Sequence, residues 1–238
     1  MSNYAAKIAA LLAKAESSTH EAEAQTFRDK AQELMLKWGI EDAELEAAGK
    51  QPEDEVVCHE VECRGQYHRG LYYVGSHTAS GLGSIRPFIT NIDSNNWTRL
   101  TLVGHKSDVD RAVTLINSLF IQSDSAMRQW WKEEKKTDGW RYDTNTAWTA
   151  RRQFFISFGA GVYSVLTQQR KNLVTKGSST DLVLVDRGAK VDDWVSEQWG
   201  EITPSRSSLR SGSVRAQQHG YRAGQRAAEG GTVSGQIG

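Results

Sequence analysis

The first 45 residues constrain the fold most, because their apolar side chains recur at helical spacing and the positions between them are polar. Tyr4, Ile8, Leu11, Leu12 and Ala15 fall three and four residues apart, with Lys7 and Lys14 off that stripe, as in an amphipathic helix. Ser17-Ser18-Thr19-His20-Glu21 comes next. Ser18 can accept from the amide three residues on while Glu21 reaches back, a capping box that starts a second helix. Its stripe is Ala24, Phe27, Ala31, Leu34, Met35 and Trp38. Gly39 then reads as the stop, with Ile40 folding back on the last turn. Two helices joined so closely are expected to form an antiparallel hairpin.

The residues here say more than periodicity requires: Lys-Ile-x-x-Leu-Leu-x-Lys-Ala-Glu from Lys7 to Glu16, Glu21-Ala22-Glu23-Ala24, Lys30-Ala31-Gln32-Glu33-Leu34-Met35, then Gly39-Ile40. This stretch resembles an uncharacterised helical-hairpin family of bacteria and bacteriophages, catalogued as a domain of unknown function. Weaker similarity continues at Gly104 to Val109 and Arg151 to Gly159, which resemble the segment carboxyl-terminal to the hairpin in that family. The resemblance implies a fold and a bacterial or phage source. It brings no activity and no catalytic residues.

Formal charge over the 238 residues is zero, which argues against a surface that grips nucleic acid all round. The charge is unevenly placed, however. Residues 1–64 hold fourteen acids against seven bases, whereas 202–228 hold five arginines and no acid. No apolar run is long enough to span a bilayer, and the start lacks a signal-peptide core. We therefore expect a cytoplasmic protein, in the host cytoplasm if phage-encoded, with no membrane partner. Two cysteines, Cys58 and Cys63, do not make a disulfide framework.

Residues 47–54 are small, polar and broken by Gly49 and Pro52, the mark of a linker or the end of a short third helix. Val56 to Cys63 alternates as a strand, with Val57, His59, Val61 and Cys63 on one side. Tyr67 to Gly81 reads as a helix presenting Leu71, Val74 and Thr78. Ile85 to Ile92 and Trp97 to Val103 read as a β-hairpin around Asp93-Ser94-Asn95-Asn96. Ser107 is placed to cap a helix carrying Val109, Val113, Ile116, Phe120 and Met127, widened by Ala112, Leu115 and Leu119. A polar, tryptophan-rich stretch comes after it, then a long helix from about Thr146 to Lys171 with Phe155, Phe158 and Val162 on its bulky stripe. Ser157, Gly161 and Ser164 give that helix a small-residue face, and the interior glycines Gly159 and Gly161 imply close packing. Leu182 to Val185 reads as a buried strand, and Val191, Trp194, Val195 and Trp199 as a helical turn or two. Residues 204–212 read as a loop. A final helix from about Ser213 to Glu229 has Ala216, Gly220, Ala223, Gly224 and Ala227 on one face, before a glycine-rich, disordered tail.

The expected fold class is α+β: an amino-terminal antiparallel helical hairpin (1–50), a small mixed β-α-β-β-α domain with long core helices (51–203), and a basic Ser/Arg-rich segment with a terminal helix and flexible tail (204–238).

Three residue sets could carry chemistry. Cys58, His59, Cys63, His68 and His77 supply zinc-binding atoms, but not at zinc-finger spacing, so the expectation is no cofactor, with zinc on these residues as the alternative. Gly104-His105-Lys106-Ser107 sits between strand and helix, where amides can face an anion, but it lacks the glycine-rich lead of a P-loop, and helix capping accounts for it. The third set interleaves aromatic planes with cations: Trp130, Trp131, Trp140, Arg141, Trp148, Arg151 and Arg152, joined by Arg215, Arg222 and Arg226 in the basic carboxyl-terminal segment. Single-stranded nucleic acid needs both residue types, since bases stack on rings while cations follow phosphates; the competing reading puts Trp131 and Trp148 in the core. His-Glu-x-x-His and Gly-x-Ser-x-Gly are absent from the sequence, so no catalytic residue is named.

The expectation is a non-enzymatic nucleic-acid-binding or regulatory accessory protein, of bacteriophage or bacterial mobile-element origin, whose partner is single- or double-stranded nucleic acid. One alternative is a protein-interaction factor that docks a host or virion protein through the acidic hairpin. A metal-dependent hydrolase built on His59, His68 and His77 is the other.

Overall fold

The computed structural model describes residues 3–49, 54–92, 96–200, 202 and 213–229. It is mostly helical, with one small sheet. Helices α1 (Asn3–Ser17) and α2 (Glu21–Ala47) come first. Strand β1 (Val56–Arg64), helix α3 (His68–Leu82), strands β2 (Arg86–Ile92) and β3 (Trp97–His105) and helix α4 (Lys106–Asp138) are next in order. A 3-10 turn (Gly139–Arg141) leads into α5 (Thr144–Leu173), α6 (Ser179–Trp199) and α7 (Val214–Glu229).

The sheet is antiparallel in the order β1-β3-β2, with Val61 opposite Leu100 and Cys63 opposite Thr98. Its inner face buries Val61, Cys63, Leu100 and Leu102 against Val109 and Ile116 of α4. Strand alternation makes this possible, because every second residue of β1 faces the helices while Cys58, Glu60 and Glu62 stay exposed. A smaller cluster, Val103, Val191 and Val195 with Phe88 and Trp194, seats α6 on the other face. The largest core is helical, joining Leu12 of α1, Met35 of α2, Leu119 of α4 and Phe154, Phe158 and Leu166 of α5 with the alanines of α7.

Four local expectations change. Gly39 does not end α2, which continues to Ala47. The extension brings Asp42 within 2.9 Å of Arg111 and buries Ala43, while Trp38 just before Gly39 lies under the same guanidinium, 4.8 Å from the ring centroid. Ser107 is not the cap of α4. It lies inside the first turn, and its amide and hydroxyl both donate to the Asp54 carboxylate, at 3.2 and 2.6 Å. Trp130 and Trp131 belong to α4 rather than to a polar stretch after it. Leu182 to Val185 is helical and not a buried strand: Ser178 caps α6 by accepting from the Asp181 amide at 3.2 Å, and Leu182 and Val185 are 64% and 62% exposed. The interior side of that helix is a stripe continued by Arg187, Gly188, Val191 and Val195.

At the start of α2, the Ser18 hydroxyl accepts from the His20 amide at 3.2 Å and donates to Glu23 at 2.8 Å. The linker at 50–53, most of the turn at 93–96, the expected loop at 204–212 and the tail after Gly230 lie outside the described residues.

The small-residue faces of α5 and α7 meet at backbone contact. A methyl group on Gly161 would land on the Tyr221 carbonyl oxygen, and one on Gly220 or Gly224 on those of Phe154 or Phe158. On another side of α5, a methyl at Gly159 would sit 2.8 Å from the Tyr73 carbonyl oxygen of α3. We expect Gly224→Ala to lower stability by about 1–3 kcal/mol through overpacking against backbone. Gly139→Ala, whose new methyl would meet nothing nearer than Lys135 Cβ at 3.9 Å, should leave the melting temperature unchanged or slightly raised; thermal denaturation of the two variants makes the comparison.

Candidate nucleic-acid interface

Of the aromatic and basic residues singled out in the sequence, those from Trp130 to Arg152 lie on the end of α4, the 3-10 turn and the start of α5, and the two helices divide them into buried and exposed sets. Asp143 fixes the start of α5, its side chain accepting from the Thr146 amide at 2.8 Å while the Thr146 hydroxyl answers the Asp143 amide. Those backbone and hydroxyl hydrogen bonds hold the Asp143 carboxyl below the usual range. Trp130 points inward, 8% exposed and stacked on Phe154 at 5.3 Å, so its ring cannot receive a base. This corrects its expected role. Trp131, one residue on, is half-buried and meets Tyr142 edge-on at 5.1 Å.

Arg151 lies between two rings, 5.0 Å from Trp131 and 5.5 Å from Tyr67. Beside it Arg152 sits 5.6 Å from Trp148. Among the described residues neither arginine is in an ion pair; Arg151 Nε donates to the Ala147 carbonyl at 3.1 Å. Among the described residues the Tyr67 hydroxyl and Arg152 Nε are buried without hydrogen-bond partners. Burial pushes the Tyr67 phenol up, and the charges of Arg151 and Arg128 pull it the other way.

The remaining candidates are more dispersed or already paired. Trp140 is 80% exposed, with Arg141 5.0 Å from its ring. Arg141 also pairs with Asp138 at 3.1 Å. Arg215 is held by Asp138 and by the buried Glu134, the latter at 3.3 Å, and Glu134 also accepts from the Tyr142 hydroxyl at 2.8 Å. Arg222 and Arg226 are exposed and share one helical face with Arg215, opposite the buried alanines and glycines.

The zinc-type residues do not come together. Cys58 and His59 are exposed, Cys63 is buried under the sheet, His68 Nδ1 lies 2.6 Å from the Thr98 hydroxyl, and His77 Nδ1 lies 2.8 Å from the Tyr73 carbonyl. Among the described residues no three His, Cys, Asp or Glu side chains are grouped to hold a metal ion. At Gly104 to Ser107 the place an anion would take at the start of α4 is filled by Asp54, and Lys106 pairs with Asp110 at 2.9 Å.

Sequence reasoning missed a buried charge network. Arg111 of α4 and Arg187 of α6 have side chains only 6% and 4% exposed. Arg111 meets Asp42 of α2 at 2.9 Å and also Asp108. Arg187 meets Asp54 at 3.2 Å and Asp108 at 3.3 Å, while burial lowers its pKa. The signal was present: Asp108, Arg111 and Arg187 are charges at core positions of helical stripes. Beside the network opens a cleft reached by Gly39, Ile40, Asp108, Arg111 and Arg170.

Residues 4–42 match the family described as "Protein of unknown function (DUF2786)". The match covers α1 and most of α2. It ends at Asp42, the residue that α2 presents to Arg111. No curated protein and no solved structure matches the chain.

Asp108→Asn would leave two buried guanidinium groups short of a carboxylate, and we expect a loss of about 3–5 kcal/mol by urea denaturation, whereas Asp110→Asn at the exposed Lys106 pair should change little. Burial pushes the Cys63 thiol up to about 12, so a thiol reagent at mildly alkaline pH should label Cys58 alone in the folded protein and both cysteines after denaturation.

Proposed function

We propose that the chain binds single-stranded nucleic acid through the ledge formed by Tyr67, Trp131, Trp148, Arg151 and Arg152, with Arg222 and Arg226 of α7 as outlying phosphate contacts. The observation that carries this reading is the Arg151 guanidinium held between Tyr67 and Trp131 with no carboxylate among the described residues to neutralise it. An arginine supported by aromatic faces keeps its hydrogen-bonding edge for phosphate oxygens. Tyr67 is itself stacked on Phe155 and Trp131 meets Tyr142 edge-on, so base stacking is assigned to the half-buried Trp148, and only unpaired strands present free base faces. Trp140 with Arg141 repeats the combination nearby. The corresponding role is that of an accessory or regulatory protein acting on exposed single strands, in keeping with a bacterial or phage source. No described helix is long and apolar enough to cross a membrane.

The acidic hairpin gives less support to a docking role. Asp42 is committed to Arg111 and Glu44 to Thr180, and Glu33 is paired with Lys30 on the exposed face.

Anisotropy titrations of labelled single-stranded oligonucleotides, with tryptophan fluorescence followed in parallel, test the proposal. We expect saturable binding with quenched tryptophan that weakens with salt. Arg151→Ala with Arg152→Ala should lower the slope of log affinity against log salt by about 1.4, since each lost contact to a single strand contributes roughly 0.7. Trp130→Ala should instead cost about 3–5 kcal/mol of stability. Absence of binding at low salt, or an unchanged salt slope in the double variant, overturns the assignment.

A further inference from the structure

The cleft beside the charge network is a separate site with its own chemistry. It encloses about 70 Å³, room for roughly five water-sized groups. Met35 and Leu36 of α2, Leu82 and Ile85 on either side of the α3–β2 turn, and Leu184 of α6 give it apolar walls. Asp108 and Arg111 reach it too, but they hold each other, and the second Asp108 oxygen takes Arg187. Neither offers a free charge.

Arg170 does. Its side chain lines the cleft, and among the described residues its guanidinium makes no ion pair or hydrogen bond. The group lies directly over Gly83, the C-cap of α3, whose φ of +94° and missing side chain leave the space it occupies. Proximity to the carbonyl end of α3 explains why a cation settles there, yet leaves its donor fork unused. An unpaired guanidinium beside a small apolar recess matches one ligand class: the planar fork fits a carboxylate at two points, and the recess takes a short hydrocarbon tail. No uncommitted carboxylate among the lining residues would receive an ammonium group.

We infer that this cleft binds a small aliphatic carboxylate, its oxygens on Arg170 and its tail between Leu36, Leu82 and Leu184. The site is independent of the proposed nucleic-acid ledge, so either can fail alone.

Titration of the isotope-labelled full chain with sodium butanoate, followed by amide correlation spectra against sodium chloride and butan-1-ol controls, tests the inference. Saturable shifts at the Gly83 and Ser84 amides are expected, with a dissociation constant in the millimolar range that so few atoms allow. Arg170→Met should weaken binding by roughly tenfold or more, and Leu184→Trp should abolish it by filling the recess while keeping the charge. A tetrapeptide ending in a free valine, added as competitor, separates a chain terminus from a free acid as the source of the carboxylate; either result keeps the assignment. Shifts reproduced by butan-1-ol, no saturation, or an Arg170→Met chain that titrates like the parent would overturn it.

Discussion

Two buried guanidinium groups tie helices α2, α4 and α6 and the segment before β1 to one another. Arg111 and Arg187 draw carboxylates from α2, from the segment before β1 and from α4. Removing charges from water is costly, and the cost is offset only when each meets its counter-charges at close range. Helices α2, α4 and α6 therefore have one mutual setting in which Asp42, Asp54 and Asp108 are all within reach. Asp54 does more than pair with Arg187. It satisfies the first turn of α4 through Ser107, and its carbonyl oxygen lies 2.6 Å from His105 Nδ1. The segment that matches DUF2786 meets this network at Asp42.

A second constraint, with no charge in it, places the aromatic ledge. Helix α5 approaches α7 and α3 so closely that Gly161, Gly220, Gly224 and Gly159 have no room for even a methyl group. Clasped on two sides, its first turns are fixed against the end of α4. The outcome is that Trp130 goes into the core, while Trp131 and Arg151 meet at the margin with Tyr67 from the start of α3. Two adjacent tryptophans thus receive different environments from a helical rotation of about 100°.

Much of this was legible residue by residue. The β1 alternation, the β2–β3 hairpin, α3, the bulky stripe of α5 and the small-residue face of α7 were read at close to their observed bounds, because each is a local period imposed by a single buried side. Leu182 to Val185 misled because four consecutive apolar residues fit either period, and the arbitrating residues, Ser178 as a cap and Val191 and Val195 further along, lay outside the run. Gly39 misled because a glycine that can stop a helix can also make room for a neighbour, here Arg111. Of the candidate site, the sequence supplied the residue types but not their sorting: Trp130, Arg141 and Arg215 are committed to core or carboxylates, and Tyr67 stood only as the start of a helix.

Side-chain period and capping chemistry act within a few residues, so the sequence suffices to say where segments are helical or extended and which side of each must be buried. Tertiary packing alone settled which charges meet, which tryptophan is buried and where a cleft with a free guanidinium forms. Ion pairs such as Asp42 with Arg111, and stacks such as Tyr67 on Arg151, join residues some 70 to 85 positions apart. Such pairings depend on how the elements dock, which no local pattern encodes.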